Sequence, residues 1–342
     1  MTPMRVTLRD VARQVGVHPS TVSRVLNPAT RHAVSADLAR RISETAESLG
    51  YRPNLFAYTL KTKRSLSVGV MIPDLMNPVF PPMVRGIEEV LEAAGYTLIL
   101  ANTDNNVERE GAILEKMRGR MVDGMILSNV YRDDSRIDQY AALEVPVVLI
   151  NRVAERDALS SVVADNLLGA SLAVNHLADL GHTRIAHLGG PQSLSTAHRR
   201  HQGYLHALNA RSLTADPELY VSASANSVAE GRRTLLLLLD RGQPFTAVVC
   251  SNDLLAVGAC QALEERGLRC PADVSVTGYN DVLLMDRLQP PLTTVRMPMM
   301  EMGRRAASIL LERMRNPEAS PQRITLPVEL IVRGSTAPPP GR

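Results

Sequence analysis

Tryptophan is absent from the 342 residues, and phenylalanine occurs three times. Cysteine is as scarce: Cys250, Cys260 and Cys270 are an odd number and form no CxxC. That usage excludes a disulfide framework and a cysteine-paired zinc site, and it points to reduced thiols in a cytoplasm. No run of about 18 apolar residues exists, so no membrane span is expected. The opening MTPMRVTLRD holds no apolar signal segment, so export is not expected either. Catalytic signatures are missing as well: there is no G-x-S-x-G elbow and no H-E-x-x-H. Gly189–Gly190 reads as a lone strand-to-helix turn rather than a phosphate loop. His198 and His201 form an H-x-x-H without an accompanying carboxylate or cysteine, and read as surface histidines rather than metal ligands. Catalytic residues, metal ligands and cofactors are therefore all read as none.

What is present is charge, unevenly placed. The chain carries a net +3, but residues 1–66 hold eleven Lys/Arg against four acids, a net +7 that leaves −4 on the rest. A basic head on a mildly acidic body is the footprint of a nucleic-acid module joined to something else. Within that head, Leu8, Val11, Ala12 and Val15 recur at i, i+3, i+4, i+7, one face of a helix. Thr7 and Asp10 stand where an N-cap and an acidic first turn belong. Gly16 supplies a tight turn, and Pro19 suits the first turn of a second helix. Val22, Val25 and Leu26 form the inner face of that helix. Ser20, Ser23, Arg24 and Asn27 fall on the other side, hydrogen-bonding groups with no acid among them. A surface αα-hairpin normally mixes Glu and Lys there. The pattern is instead that of a helix-turn-helix, whose second helix enters the DNA major groove.

Ser35 is placed to cap a third helix with Leu38, Ile42, Ala46 and Leu49 inside, ended by Gly50. The three helices enclose a small core of roughly 45 residues, near the lower size limit for independent stability. In YRPNLFAYTLKTKRS, Pro53 and Asn54 can start a short helix with Ala57 and Leu60 on one side; a plain basic linker is the equal alternative. From Leu66 the texture becomes a long series of strand-helix units with short loops, which predicts parallel sheets wrapped by helices. The strands are too many for one core, so two sheets are expected, split near Val163, with ligands bound at the C-terminal ends of strands.

Motifs in a fixed order then accumulate: T-L-R-D-V-A at Thr7–Ala12, T-V-S-R-V-L-N at Thr21–Asn27, G-Y-R-P-N-x-x-A at Gly50–Ala57, V-D-G at Val122–Gly124, S-N-D at Ser251–Asp253, G-Y-N-D at Gly278–Asp281 and P-P-L-T-T-V at Pro290–Val295. On these the chain resembles the LacI/GalR family of bacterial transcription regulators along nearly its whole length. The resemblance implies a small all-α helix-turn-helix headpiece over 1–52 and a hinge helix or linker over 53–65. It also implies an α/β body of two doubly wound parallel-sheet subdomains like a periplasmic binding protein. The N-terminal subdomain would take 66–163 plus 296–325, and the C-terminal subdomain 164–295 plus 326–342. The resemblance further implies a homodimer, with a tetramer not excluded, on double-stranded, near-palindromic operator DNA. A small-molecule effector in the cleft between subdomains would set the affinity.

Carried over residue by residue, the resemblance makes Pro19, Ser20 and Arg24 base-reading positions. Thr21, Ser23 and Asn27 become phosphate or sugar contacts, and Leu60 a wedge into the minor groove. The cleft would be lined by Asn77, Val79, Phe80 and Met83 from one subdomain. Asp165, Thr196, Arg200, Asn226, Asn252, Asn280 and Asp281 would line it from the other. Asn252 and Asp253 also suit a helix cap, and Asn280 and Asp281 a turn. His18 and Pro19 replace the family's commoner serine and polar pair, which implies an unusual half-site. Asn226 stands where an aromatic plate is common, and Asn280 where an aspartate is. The expected effector is a hydroxylated or carboxylated metabolite, sugar or sugar-like. A metabolite-modifying α/β enzyme carrying a DNA-binding headpiece is the alternative reading.

Overall fold

The apolar spacing of the first segment closes around three helices: α1 (Leu8–Val15), α2 (Pro19–Leu26) and α3 (Ala36–Ser48). They belong to a computed structural model that describes residues 6–26, 31–51 and 64–341. The chain divides into two compact units, 1–65 and 66–342. In the first, Val11, Ala12, Val22, Val25, Ala39, Ile42 and Ala46 are buried together, with Leu8, Val15, Leu26, Leu38 and Leu49 packed around them. Gly16 takes φ 75°, and its N–H and that of Val17 both donate to the Ala12 carbonyl, so the helix ends and the chain turns. The Asp10 carboxylate accepts from the Thr7 N–H at 2.9 Å and its hydroxyl at 2.6 Å, tying down the start of α1. Ser35 holds the N-cap position of α3 but makes no side-chain capping bond, contrary to expectation. Ser35 is exposed, at a helix start open to solvent.

The second unit is built on two six-stranded sheets. The first lobe runs β1 (Ser67–Ile72), α4 (Phe80–Ala93), β2 (Thr97–Asn102), α5 (Val107–Gly119), β3 (Gly124–Leu127), α6 (Ile137–Ala141), β4 (Val147–Ile150) and β5 (Ser160–Ala164). The second runs α7 (Asn166–Asp179), β6 (Ile185–Gly189), α8 (Ser195–Ala210), β7 (Tyr220–Ser222), α9 (Val228–Asp240), β8 (Ala247–Cys250), α10 (Asp253–Glu265), β9 (Ser275–Asn280) and β10 (Thr293–Arg296). The chain then returns to the first lobe as α11 (Met299–Arg315) and β11 (Arg323–Leu326), and ends in the second as β12 (Glu329–Ile331).

Sheet orders are β11-β5-β4-β3-β1-β2 and β12-β10-β9-β8-β6-β7. Every pairing is parallel except β10 with β12. Central strands such as SVGVMI are buried along their whole length, because helices cover both faces. The chain crosses between lobes three times, after Ala164, after Arg296 and after Leu326. These points lie one residue beyond the expected edges at 163, 295 and 325, because the ladders pair Ala164 with Leu326 and Arg296 with Asn280.

Helix α11 packs on α4 with almost no space between backbones. A Cβ on Gly86 would stand 2.1 Å from the Met300 carbonyl oxygen, and one on Gly303 2.1 Å from that of Met83. Among the described residues no helix is long and apolar enough to cross a membrane.

Candidate functional site

In the headpiece unit the core spacing decides what is left outward. Val22 and Val25 occupy the inner face of α2, so Ser20 and Arg24 are exposed, while Pro19, Thr21 and Ser23 are half-buried along its flanks. His18 precedes the helix and acts as its cap. Its Nδ1 accepts from the Ser20 N–H at 3.2 Å and lies 2.8 Å from the Ser20 hydroxyl. The departure at position 18 therefore has a local structural effect: it fixes the first turn of α2 and engages the hydroxyl of one expected base-reading residue. Asn27 and Leu60 lie outside the described residues.

In the body, the C-terminal ends of both parallel sheets meet across a cleft. About 460 Å³ lies between the walls, counting space open to solvent. Asn77, Val79, Phe80, Thr196, Arg200, Asn226, Asn252 and Asn280 line it, eight of the eleven expected residues. Met83, Asp165 and Asp281 do not. One helical turn beyond Phe80, Met83 points into the core under α11 and is 2 % exposed. Asp165 caps α7, accepting from the Leu168 N–H at 2.9 Å. Asp281 is held between Arg296 and Arg333, each at 2.7 Å. Those last two side chains are spent on a helix start and an ion-pair network.

Arg200 is the hub of the second wall. Projecting from α8, it is buried, donates through Nε to Asn166 Oδ1 (2.8 Å) and through its terminal nitrogens to the Ser251 carbonyl (2.6 Å) and Asn280 Oδ1 (3.2 Å). Its guanidinium carbon lies 3.6 Å from the centroid of the Tyr279 ring. Burial lowers its pKa and, in turn, pushes that of Tyr279 up to about 12. Asn252 does two jobs. Its Oδ1 caps α10 through the Leu255 N–H at 2.9 Å, and its Nδ2 donates to Asn226 Oδ1 at 2.7 Å. Asp253 is fully buried behind it. Its carboxylate accepts from Thr294 Oγ1 (2.5 Å) and the Val282 N–H (2.9 Å), and burial drives its pKa up to about 7.

The cleft also holds residues beyond the expected set: Pro78, Asn151, Arg152, Asp253, Leu254 and Val282. Asn151 and Arg152 directly follow β4, so the strand-end rule for doubly wound sheets was the signal that marks them. The lobes also touch beside the cleft. The Arg132 N–H donates to the Ser193 carbonyl (2.8 Å), and the Val153 N–H to Ser195 Oγ (2.9 Å). The Arg132 guanidinium meets His198 Nδ1 at 2.8 Å. His201 instead lies against Tyr220, with ring centroids 4.3 Å apart and the ring planes tilted by 33°. The H-x-x-H histidines are thus half-buried in two separate surroundings rather than on the surface.

A recognition-helix headpiece and a two-lobed body with polar groups converging on the interlobe cleft define a ligand-responsive DNA-binding regulator. Residues 7–54 match the pattern of bacterial regulatory proteins of the lacI family, and residues 174–336 that of a periplasmic binding protein-like domain. The ribose operon repressor of Escherichia coli (strain K12) is 35 % identical over 332 residues, covering 96 % of this chain and 99 % of the relative. The transcriptional repressor CytR of the same strain is 33 % identical over 332 residues, covering 96 % of each. The solved structure of the Lac repressor dimer bound to operator and the anti-inducer ONPF superposes with a TM-score of 0.88 at 30 % identity, covering 97 % of this chain and 99 % of that one. The chain belongs to the lacI family of bacterial regulatory proteins.

Proposed function

We propose that this protein is a transcriptional repressor that binds a near-palindromic operator as a homodimer. A small hydroxylated or carboxylated, sugar-like effector in the interlobe cleft sets its affinity. The observation that carries the reading is Arg200: a guanidinium fixed on three sides at the strand ends of one lobe, facing Asn77 and Phe80 of the other across the cleft. Such a group grips vicinal hydroxyls or a planar anion. A ligand touching both walls binds one interlobe arrangement better than another, and that difference in affinity is what shifts a two-state equilibrium. Exposed Ser20 and Arg24 on α2 suit base edges, with half-buried Pro19, Thr21 and Ser23 alongside. The relatives' names support the reading: they are repressors, one of a ribose operon, and the Lac structure carries operator and a small molecule together.

The reading includes a cytoplasmic site of action and no turnover of the effector. Its test is selection of bound duplexes from a random library by the full chain, followed by operator titration with a panel of sugars and sugar acids. The expected result is a near-palindromic consensus whose affinity moves with at least one compound, recovered unchanged. No preference among duplexes, with or without every compound, overturns it. Conversion of the compound moves the assignment to an enzyme with a headpiece.

A further inference from the structure

Two guanidiniums line the cleft, one from each lobe. Arg200 meets neutral acceptors. Arg152 is 5 % exposed and donates from Nη1 to the Asn105 side-chain oxygen at 3.2 Å. Among the described residues it forms no ion pair with a carboxylate, whereas its neighbours do: Arg132 meets Glu155 at 3.3 Å and Arg136 meets Asp134 at 2.7 Å. The other polar side chains on the walls are largely amides, those of Asn77, Asn151, Asn226, Asn252 and Asn280. One carboxylate lines the cleft among the described residues, Asp253, and both its oxygens are already taken by Thr294 and Val282.

The buried carboxylate of Glu110 is near enough to favour the charge on Arg152 but is bonded to Arg136, and a buried cation with no acid in contact is a poor choice for stability. Desolvation penalises its charged form, and an unpaired charge gains little Coulomb energy in return. The burden is visible in Arg152, whose pKa burial pulls down to about 10. An arginine held this way where a strand end opens on the cleft is a ligand group rather than a fold group.

We infer that the effector carries a negatively charged group, a carboxylate or a phosphoester, and that this group pairs with Arg152 while Arg200 holds the molecule from the opposite wall. The inference rests on the effector-cleft reading above and narrows it from sugar-like to anionic. It also makes Arg152 the residue that selects for charge. An arginine suits this task because its planar fork presents paired N–H groups to two oxygens of either anion.

The test uses the full chain and matched probes in calorimetric titration: D-glucose with D-gluconate and glucose 6-phosphate, D-ribose with ribose 5-phosphate, and inorganic phosphate. Wild type, Arg152→Gln and Arg152→Lys are compared, and the melting temperature of each is measured without ligand. At least one anionic probe is expected to bind about tenfold or more tighter than its neutral parent, and whether it is the acid or the phosphate identifies the anion. Arg152→Gln is expected to lose that preference by about 10- to 100-fold, and Arg152→Lys to recover part of it. The ligand-free melting temperature of Arg152→Gln is expected to match or exceed that of wild type, because no ion pair is lost. A neutral parent binding as tightly as its anions overturns the inference and leaves the sugar-effector reading standing. So does an Arg152→Gln protein that keeps the preference. A lowered melting temperature with unchanged ligand affinity makes Arg152 structural and overturns it too. Binding by none of the probes overturns the inference, and the operator titration described above then decides the effector-cleft reading separately.

Discussion

Asp253→Asn tests the electrostatics of the cleft wall directly. The carboxyl is fully buried at the start of α10, with Oδ1 2.5 Å from Thr294 Oγ1 and Oδ2 2.9 Å from the Val282 nitrogen. Burial raises its pKa from 3.8 to about 7. In that window the folded chain binds more protons than the unfolded chain. Stability attributable to this group is therefore full below about pH 4 and falls as pH rises through 7. A shift of about three units corresponds to about 4 kcal/mol, of which about 3 kcal/mol accrues between pH 5 and pH 8. An amide keeps both contacts, its oxygen accepting from Val282 and its NH₂ donating to Thr294, and removes the titration.

Urea denaturation of the two proteins, followed by far-UV circular dichroism since the chain lacks tryptophan, measures the gap. With a slope near about 3 kcal/mol/M, the midpoint of the variant is expected to gain about 1 M on wild type between pH 5 and pH 8. A gap that stays constant with pH, or a variant that loses ground at pH 8, refutes the argument. It would mean that Thr294 and Val282 hold the carboxylate charged and that the wall of the cleft carries a full negative charge at neutral pH.

Two further outcomes follow from other parts of the molecule. Arg24→Ala, on the exposed face of α2, is expected to weaken binding to the selected operator by about 1–3 kcal/mol while changing affinity for a scrambled duplex much less, as read by fluorescence anisotropy at fixed salt. Equal loss on both duplexes would make Arg24 a phosphate contact. Gly303→Ala puts a Cβ 2.1 Å from the Met83 carbonyl oxygen and must separate α4 from α11. A loss of about 1–3 kcal/mol is expected, seen as a melting temperature lower by roughly 3–10 °C. An unchanged melting temperature would show that the two helices part freely.

The headpiece was legible because its information is local. The apolar spacing of Leu8, Val11, Ala12 and Val15 and the left-handed turn at Gly16 depend on residues within a few positions of one another, and the helices formed where that spacing placed them. The side-chain bond at Ser35 did not form, at an exposed helix start where solvent competes for the same N–H groups. The effect of His18 on α2 needed three-dimensional placement, since histidine carries no strong capping preference in sequence.

For the body, the alternation of apolar strands and amphipathic helices determined the class of fold, two parallel sheets, from the sequence alone. Eight of the eleven expected cleft residues line the cleft. Of the three that do not, Met83 and Asp281 lie within a turn of lining residues, and a motif cannot say which neighbour turns inward; Asp165 is taken up in capping α7. Nor could a motif reveal that Arg152 is buried with no acid in contact, or that Asp253 is driven toward its neutral form. Those properties arise where strand ends from distant parts of the chain converge. Periodicity and capping act over a turn or two and can be read along the chain. Desolvation and pairing are set by what packs from other segments, and only the tertiary structure decides them.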